Sequence, residues 1–285
     1  MKCMNKNLLL LGKNNFLSND VKSKLKENDI DFYFEKERID FNDLNLSSEL
    51  FCKKYFFYDN LKFQFILNTI HFHNDRKMNN NSNLLLAEHI QYFSQTHNNA
   101  KIIYISSTQA SKVSLNKYSI DKLNSEKIYI KSDNFLIIRP STIIKKDNGM
   151  VYGGYRGQTI LKISKFIKKY NCFPVPDKGE YQHTYCMINS LSNFIIEVLK
   201  KDIFKNQIIN FFSGEYLSYL DFLKKISNYL NKDPKFIFIP INIFKLLLSI
   251  LLMKKAVNQI KNLVNEKIEY DKTNEIKKVI KMEIL

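Results

Sequence analysis

The chain has 285 residues, 45% of them hydrophobic, and can bury a large core. Its net charge of +16 is almost all lysine, scattered among asparagines without clustered arginine or a recognition motif. That pattern argues against a sequence-specific nucleic-acid reader and implies a diffuse positive potential that attracts anionic small molecules. The four cysteines, Cys3, Cys52, Cys172 and Cys186, have no paired spacing, so they predict reduced thiols rather than a disulfide framework.

Along the chain, the apolar run 7–11 reads as a first buried strand and 31–35 as a second. A further buried strand, expected to be the fourth, spans 63–67 and runs into Asn68-Thr69-Ile70. His71 and His73 alternate just beyond, but no Cys or carboxylate at ligand spacing completes a metal site, so they read as loop histidines. The asparagine run 79–83 marks a loop before a helix over 84–93. The β-branched and aromatic run 101–105 predicts a strand that opens into Ser106-Ser107-Thr108, and in open α/β sheets ligands bind at such carboxyl ends. Segment 117–129 reads as a helix with Ile120, Leu123 and Ile128 on one stripe and Tyr118 and Lys122, four apart, on another. Strand 135–139, closed by Pro140, completes a βαβ unit.

Tyr-x-x-x-Lys is a weak signal alone, because chance predicts roughly two matches in such a composition. A second match stands at Tyr58 and Lys62. Only Tyr118 follows a strand ending in hydroxyl residues and precedes a second apolar strand. On the residues alone, the same spacing also fits a packed helix with a solvated lysine.

With ISST, YSIDK and IIRPST in this order, the chain resembles the extended short-chain dehydrogenase/reductase family, the NAD-dependent epimerase/dehydratase group acting on nucleotide sugars. The short Thr108-to-Tyr118 spacing and the Gln109-Ala110 step are similar to hexulose reductases and epimerases of bacterial surface-polysaccharide synthesis. The resemblance implies Thr108, Tyr118 and Lys122 as catalytic residues. A free phenol, with pKa ~10, is a poor base at neutral pH, so Lys122 is expected to lower the Tyr118 pKa while contacting the cofactor ribose. Thr108 is expected to orient the substrate oxygen.

The resemblance further implies NAD or NADP as cofactor, held by Gly12, Asn15, Phe16, Leu17, Glu35, Lys36, Asn68, Thr69, Ser106, Tyr118, Lys122 and Pro140. The family's Gly-x-x-Gly-x-x-Gly turn keeps only Gly12, with Asn15 and Ser18 in place of the other glycines. Ser18 is expected to cost helix packing and Asn15 to crowd the phosphates, although Asn tolerates positive φ and so could preserve the turn. Glu35 favours NAD by accepting from ribose hydroxyls, whereas Lys36 and Arg38 favour NADP. Substrate-binding residues implied are Thr108, Ser141, Thr142, Arg156 and His183, the last two through phosphate contact. Four of the seven glycines cluster at 149–157 and predict a mobile or tightly turning loop. Ser218 is expected to cap a helix on the substrate side.

The expected fold is α/β: a Rossmann-type doubly wound parallel sheet over 1–142, with 184–213 returning to it, and a smaller carboxyl-terminal substrate lobe over 143–183 and 214–285. The run 236–253 is apolar, but Pro240 and Lys245 interrupt it and leave ~13 residues against the ~20 needed to span a bilayer. It reads as a buried or pocket-lining helix, with a weak membrane-surface contact through Lys254 and Lys255 as the other reading. A cytoplasmic location is expected, since a short strand follows Met1-Lys2-Cys3 where a signal-peptide core would lie. The expected function is an NAD(P)-dependent epimerase or ketoreductase of a nucleotide-activated sugar, acting alone or as a homodimer. The alternative is a non-catalytic member serving as an assembly, regulatory or RNA-binding module.

Overall fold

The computed structural model describes residues 7–58, 61–72, 81–111, 117–154, 158–212, 215–250 and 279–281, without side chains at 245 and 247–250. In chain order, the first elements are β1 (Leu8–Leu11), α1 (Phe16–Glu27), β2 (Phe32–Phe34), α2 (Ser48–Tyr55) and β3 (Phe65–Asn68). Then come α3 (Ser82–Thr96), β4 (Lys101–Ile105), α4 (Lys117–Tyr129), β5 (Phe135–Pro140), β6 (Thr142–Asp147), β7 (Met150–Gly153) and α5 (Gln158–Tyr170). The remainder comprises β8 (Cys172–Pro176), β9 (Gln182–His183), β10 (Tyr185–Met187), α6 (Ile188–Lys201), β11 (Gln207–Phe211), β12 (Leu217–Ser218), α7 (Tyr219–Tyr229), β13 (Lys235–Ile239) and α8 (Ile241–Ile250).

Two compact units result: one from the described parts of 1–140 and 189–211 with 279–281, the other from those of 141–188 and 212–250. The first holds a six-stranded sheet in the order β11-β5-β4-β3-β1-β2, with every pairing parallel. Strand β1 lies between β2 and β3, so the sheet grows one way and then the other from β1, the arrangement of a doubly wound fold with its switch point at the carboxyl ends of β1 and β3. All four residues of β1 and of β3 are buried, as expected for strands covered on both faces. Leu9, Leu11, Ile66, Ile102 and Ile137 pack against Phe51 of α2 and Ile90 and Phe93 of α3. Each such side chain contributes roughly 1.5–3 kcal/mol by leaving water. Helix α6 is tied to α1 by the Ser192 hydroxyl on Asp20 at 2.7 Å and by Lys200 on Asn28 at 2.6 Å.

The second unit is built from a three-stranded sheet, β10-β6-β7, and two strand pairs, β12–β9 and β13–β8. Its core gathers Ile144, Val151, Ile160, Ile167, Tyr185 and Phe222.

Several expectations need correction. Among the described residues no strand lies between β2 and β3; a 3₁₀ turn at Asn42–Asn45 and α2 occupy that stretch, so 65–68 is the third strand of the chain. The glycine cluster begins as a hairpin: Asn148 (φ 47°) and Gly149 (φ 64°) make a two-residue turn between β6 and β7. The described part of the apolar run, 236–250, is divided at Pro240 into strand β13 and helix α8, because proline cannot donate to a ladder but suits a helix start; Lys254 and Lys255 lie outside the described residues. No helix among the described residues is long and apolar enough to cross a membrane. Residues 185–187 join β6 rather than the central sheet.

One buried polar group ties the helical layer together. The His89 imidazole meets the Ser48 hydroxyl at 2.9 Å through Nδ1 and the Leu44 carbonyl at 3.1 Å through Nε2, and stacks on Phe51 at 4.1 Å. Burial lowers its pKa below the ordinary 6.5. The unfolded chain therefore takes up this proton first on acidification, so the contribution is complete above about 6.5 and is lost as the pH falls toward the folded value. The unfolding temperature is expected to drop between about pH 7.5 and about pH 5.5, and to drop less in His89→Gln, by scanning calorimetry at both pH values.

Candidate active site

At the amino end, Gly12 has φ +105°, and a Cβ there would lie 2.5 Å from Thr69 Oγ1 and 2.6 Å from Asn15 Nδ2. Only glycine fits. The two lost glycines are replaced by a side-chain network. Asn15 caps α1, its Oδ1 accepting from the Ser18 N–H at 2.7 Å, while its Nδ2 donates to the Thr69 carbonyl at 3.1 Å and the Thr69 hydroxyl at 2.6 Å. The Ser18 hydroxyl donates to the Gly12 carbonyl and accepts the Asn15 N–H at 3.2 Å, closing a capping box. Asn15 itself is extended (φ −91°), so its tolerance of positive φ is not used. Ser18, fully buried, costs no hydrogen bond because its hydroxyl is satisfied.

The turn fits a dinucleotide diphosphate: it keeps the positive-φ glycine, and the first-turn N–H groups of Phe16 and Leu17 have no carbonyl within the helix to receive them. Other expected contacts are differently engaged. Both oxygens of Glu35 accept main-chain N–H groups, from Gly12 and Lys13 at 3.1 Å each. The Lys36 ammonium lies over the Tyr58 ring at 5.5 Å and Arg38 is exposed, while Lys13 and Lys22 flank the Phe34 ring at 5.7 and 5.5 Å. The Asn68 side chain donates to Tyr129 at 2.9 Å and accepts from the Ile70 N–H at 2.9 Å, and the Thr69 hydroxyl donates to the Leu11 carbonyl at 2.6 Å. In this structure both act as braces of the β1–β3 switch point.

At the carboxyl end of β4, Thr108 is buried in a 3₁₀ turn, Thr108–Ser111. Tyr118 and Lys122 lie on α4, whose predicted apolar stripe is only partly buried: Leu123 and Ile128 are half-buried, with Ile128 packed on the core. Ile120 is 42% exposed, and the buried face is Ser119, Lys122, Ser125, Glu126 and Tyr129. A helix that buries its polar stripe must satisfy each group by hydrogen bonding. The Lys122 ammonium donates to the Ile105 carbonyl at 2.8 Å and lies over the Tyr104 ring at 4.7 Å. Glu126, fully buried, accepts from Arg139 Nε at 2.9 Å and Nη2 at 2.5 Å, and from the Ser106 hydroxyl. Ser106 is thus a brace between β4 and α4.

The Tyr118 side chain is hydrogen-bonded by Ser107, and its ring meets His71 edge-on at 4.7 Å. Burial pushes the phenol above its ordinary value of 10, with the Ser107 bond opposing, whereas the expectation was a lowered value. Burial also pushes Lys122 down to about 7, with Glu126 opposing. Sequence reasoning missed Ser107, Glu126 and Arg139. The spacing of Glu126 four residues after Lys122 was a signal that could have found it.

In the second unit, Ser141 is buried and Thr142 half-buried at the start of β6, and His183 packs on Phe222 at 4.2 Å between ring centroids. Arg156 and His73 lie outside the described residues. Pro140 ends β5 opposite Phe211.

No family model matches the chain, and no curated protein sequence matches it. Solved structures do. The dTDP-4-dehydrorhamnose reductase of Bacillus anthracis, in complex with NADP, superposes with a TM-score of 0.62 at 16% identity, over 85% of this chain and 86% of that one. The UDP-glucose 4-epimerase of Thermotoga maritima, with UDP-glucose, gives 0.64 at 13% identity, over 94% and 91%. WbmG of Bordetella bronchiseptica, in complex with NAD, gives 0.63 at 10% identity, over 84% and 83%. The chain has the Rossmann-type fold of these proteins.

Two outcomes follow from the geometry. Gly12→Ala is expected to lower stability by about 1–3 kcal/mol or more through the forced φ and the clash with Thr69, measured by urea unfolding. For Lys122, the unfolded chain holds the extra proton between the folded value of about 7 and the ordinary 10.5, so the wild type loses stability as the pH falls across that window. Lys122→Met lacks this penalty, and its unfolding temperature relative to wild type is expected to be higher at about pH 7 than at about pH 9.5.

Proposed function

We propose that the protein is an NAD(P)H-dependent reductase of a keto sugar carried on a nucleotide. The observation that carries this reading is the Tyr118 phenol, hydrogen-bonded by Ser107 beside the carboxyl end of β4, with burial raising rather than lowering its pKa. A phenol above its ordinary pKa is a proton donor rather than a base, which suits reduction of a carbonyl. Bound there in reduced form, the nicotinamide would supply a hydride for the carbonyl carbon. The Tyr118 proton passes to the carbonyl oxygen as that oxygen gains charge, leaving an alcohol and a phenolate that solvent reprotonates. Ser107 and Thr108 orient and stabilise the oxygen, and the buried Lys122 offers a cation beneath the phenolate.

For the cofactor, Gly12, Phe16 and Leu17 would hold the diphosphate. Glu35 already accepts two N–H groups, and Lys13 and Lys22 stand over Phe34, a charge arrangement that favours the 2′-phosphate of NADPH. The neighbours solved with NADP and NAD, and the reductase among them, support the class. Epimerisation is the second reading, supported by the 94% overlap with an epimerase. It uses the same residues but needs the phenolate first. The synthesis of surface polysaccharide is the setting such nucleotide sugars imply.

Direct nicotinamide fluorescence should saturate with NADPH at a Kd below about 100 μM, more than ~5 kcal/mol of binding, and more weakly with NADH. Tyr118→Phe should keep that binding while turnover of a nucleotide 4-keto sugar falls about 10²–10⁴-fold. Product analysis that shows an inverted hydroxyl with no net oxidation of cofactor would replace reduction by epimerisation. A folded protein that binds neither cofactor would make the fold a non-catalytic module.

A further inference from the structure

Glu126 takes part in none of the steps above, yet it is fully buried and both its oxygens are bonded, to Arg139 of β5 and Ser106 of β4. Lys122 lies one helical turn earlier on α4 and is also buried. Its ammonium is bonded to the carbonyl of Ile105, whereas Glu126 is bonded to the hydroxyl of Ser106. The last residue of β4 and the one after it therefore bind the ammonium and the carboxylate in turn. The described groups that act on the Lys122 ammonium are the Ile105 carbonyl, the Tyr104 ring and Glu126, and of these only Glu126 is a carboxyl group.

We propose that Glu126 is a positioning residue for Lys122: a buried counter-charge, locked by Arg139 and Ser106, that holds the ammonium at the end of β4. A buried lysine without such a partner sheds its proton, because a charge in a low-dielectric interior is costly. Two opposing effects act on Lys122 here, burial lowering its proton affinity and Glu126 raising it. Arg139 is the reason Glu126 can serve: its two parallel bonds fix the carboxylate in one orientation. The inference rests on the reading that Lys122 supports Tyr118, but its test does not need substrate or cofactor.

The test is an NMR titration of the lysine Nζ resonances in protein labelled with ¹³C,¹⁵N-lysine, with Lys122 assigned by its loss in Lys122→Met. The wild-type midpoint is expected near 7. In Glu126→Gln it should fall by about one unit or more, and in Glu126→Asp, which keeps the charge, it should return toward wild type. An unchanged midpoint in folded Glu126→Gln would overturn the inference and leave Glu126 a structural brace. Should that variant not fold, the double variant Glu126→Gln with Arg139→Met removes the whole buried pair; a lowered midpoint supports the inference, and an unchanged one overturns it. A shift seen in a protein that binds no nicotinamide cofactor would leave this inference standing while the reductase reading failed.

Discussion

The ion pair between Arg139 and Glu126, with Ser106 as its third member, is the constraint on which the site depends. It joins the neighbouring strands β4 and β5 to helix α4 through side chains with little or no exposure to water. A pair of this kind is weak evidence of net stability, since desolvation offsets most of the attraction. Its value is directional. Breaking it by removal of one partner would leave a buried charge, at a cost of about 3–5 kcal/mol, so alternative orientations of α4 are excluded more strongly than the native one is favoured. Orientation of α4 is what puts Tyr118 and Lys122 at the end of β4.

The same logic of satisfied polar groups governs the amino-terminal turn. Three glycines would let a backbone approach a diphosphate with no side chain near; this chain keeps one and spends side-chain hydrogen bonds on the rest. Asn15, Ser18, Thr69 and Glu35 tie the turn to both neighbouring strands, β3 and β2. A turn built this way is braced before any ligand arrives, whereas a glycine turn must be ordered by one.

Much of the frame was legible in the sequence because buried parallel strands are apolar runs that need no periodicity to be found. Strand 101–105 and helix 117–129 have the bounds expected, Ser218 caps α7, and strands β1 to β5 of the central sheet each fall within two residues of a predicted run. What escaped was the face of α4. Hydrophobic periodicity assumes that apolar side chains turn inward, and here Ile120 is exposed while Lys122 and Glu126 are buried. No local signal reports a partner such as Arg139, thirteen residues away on another element. The direction of the Tyr118 shift was missed for a like reason: burial of the phenol itself raises its pKa, and no local pattern reports that burial. The split at Pro240 was readable, but strand β13 was not, since its partner β8 lies 63 residues earlier and carries two prolines of its own.

The turn between β6 and β7 shows how this glycine-poor chain handles left-handed backbone. Nine of the ten positive-φ non-glycine positions among the described residues are Asn or Asp, including Asn148, which precedes Gly149 at an exposed hairpin tip. Asparagine here replaces the conformational freedom of glycine with a side-chain amide, and that amide is reactive. With no side chain on the following residue to block ring closure, the Asn148 amide carbon is open to attack by the Gly149 nitrogen, with the side-chain nitrogen leaving as ammonia. The succinimide so formed opens to aspartate or to an isoaspartyl linkage whose backbone is one atom longer. Either product changes the hairpin: the first adds a negative charge to a basic protein, and the second lengthens a turn that has room for two residues. The price of economising on glycine is thus chemical ageing, written into the covalent chain at the tip of one hairpin.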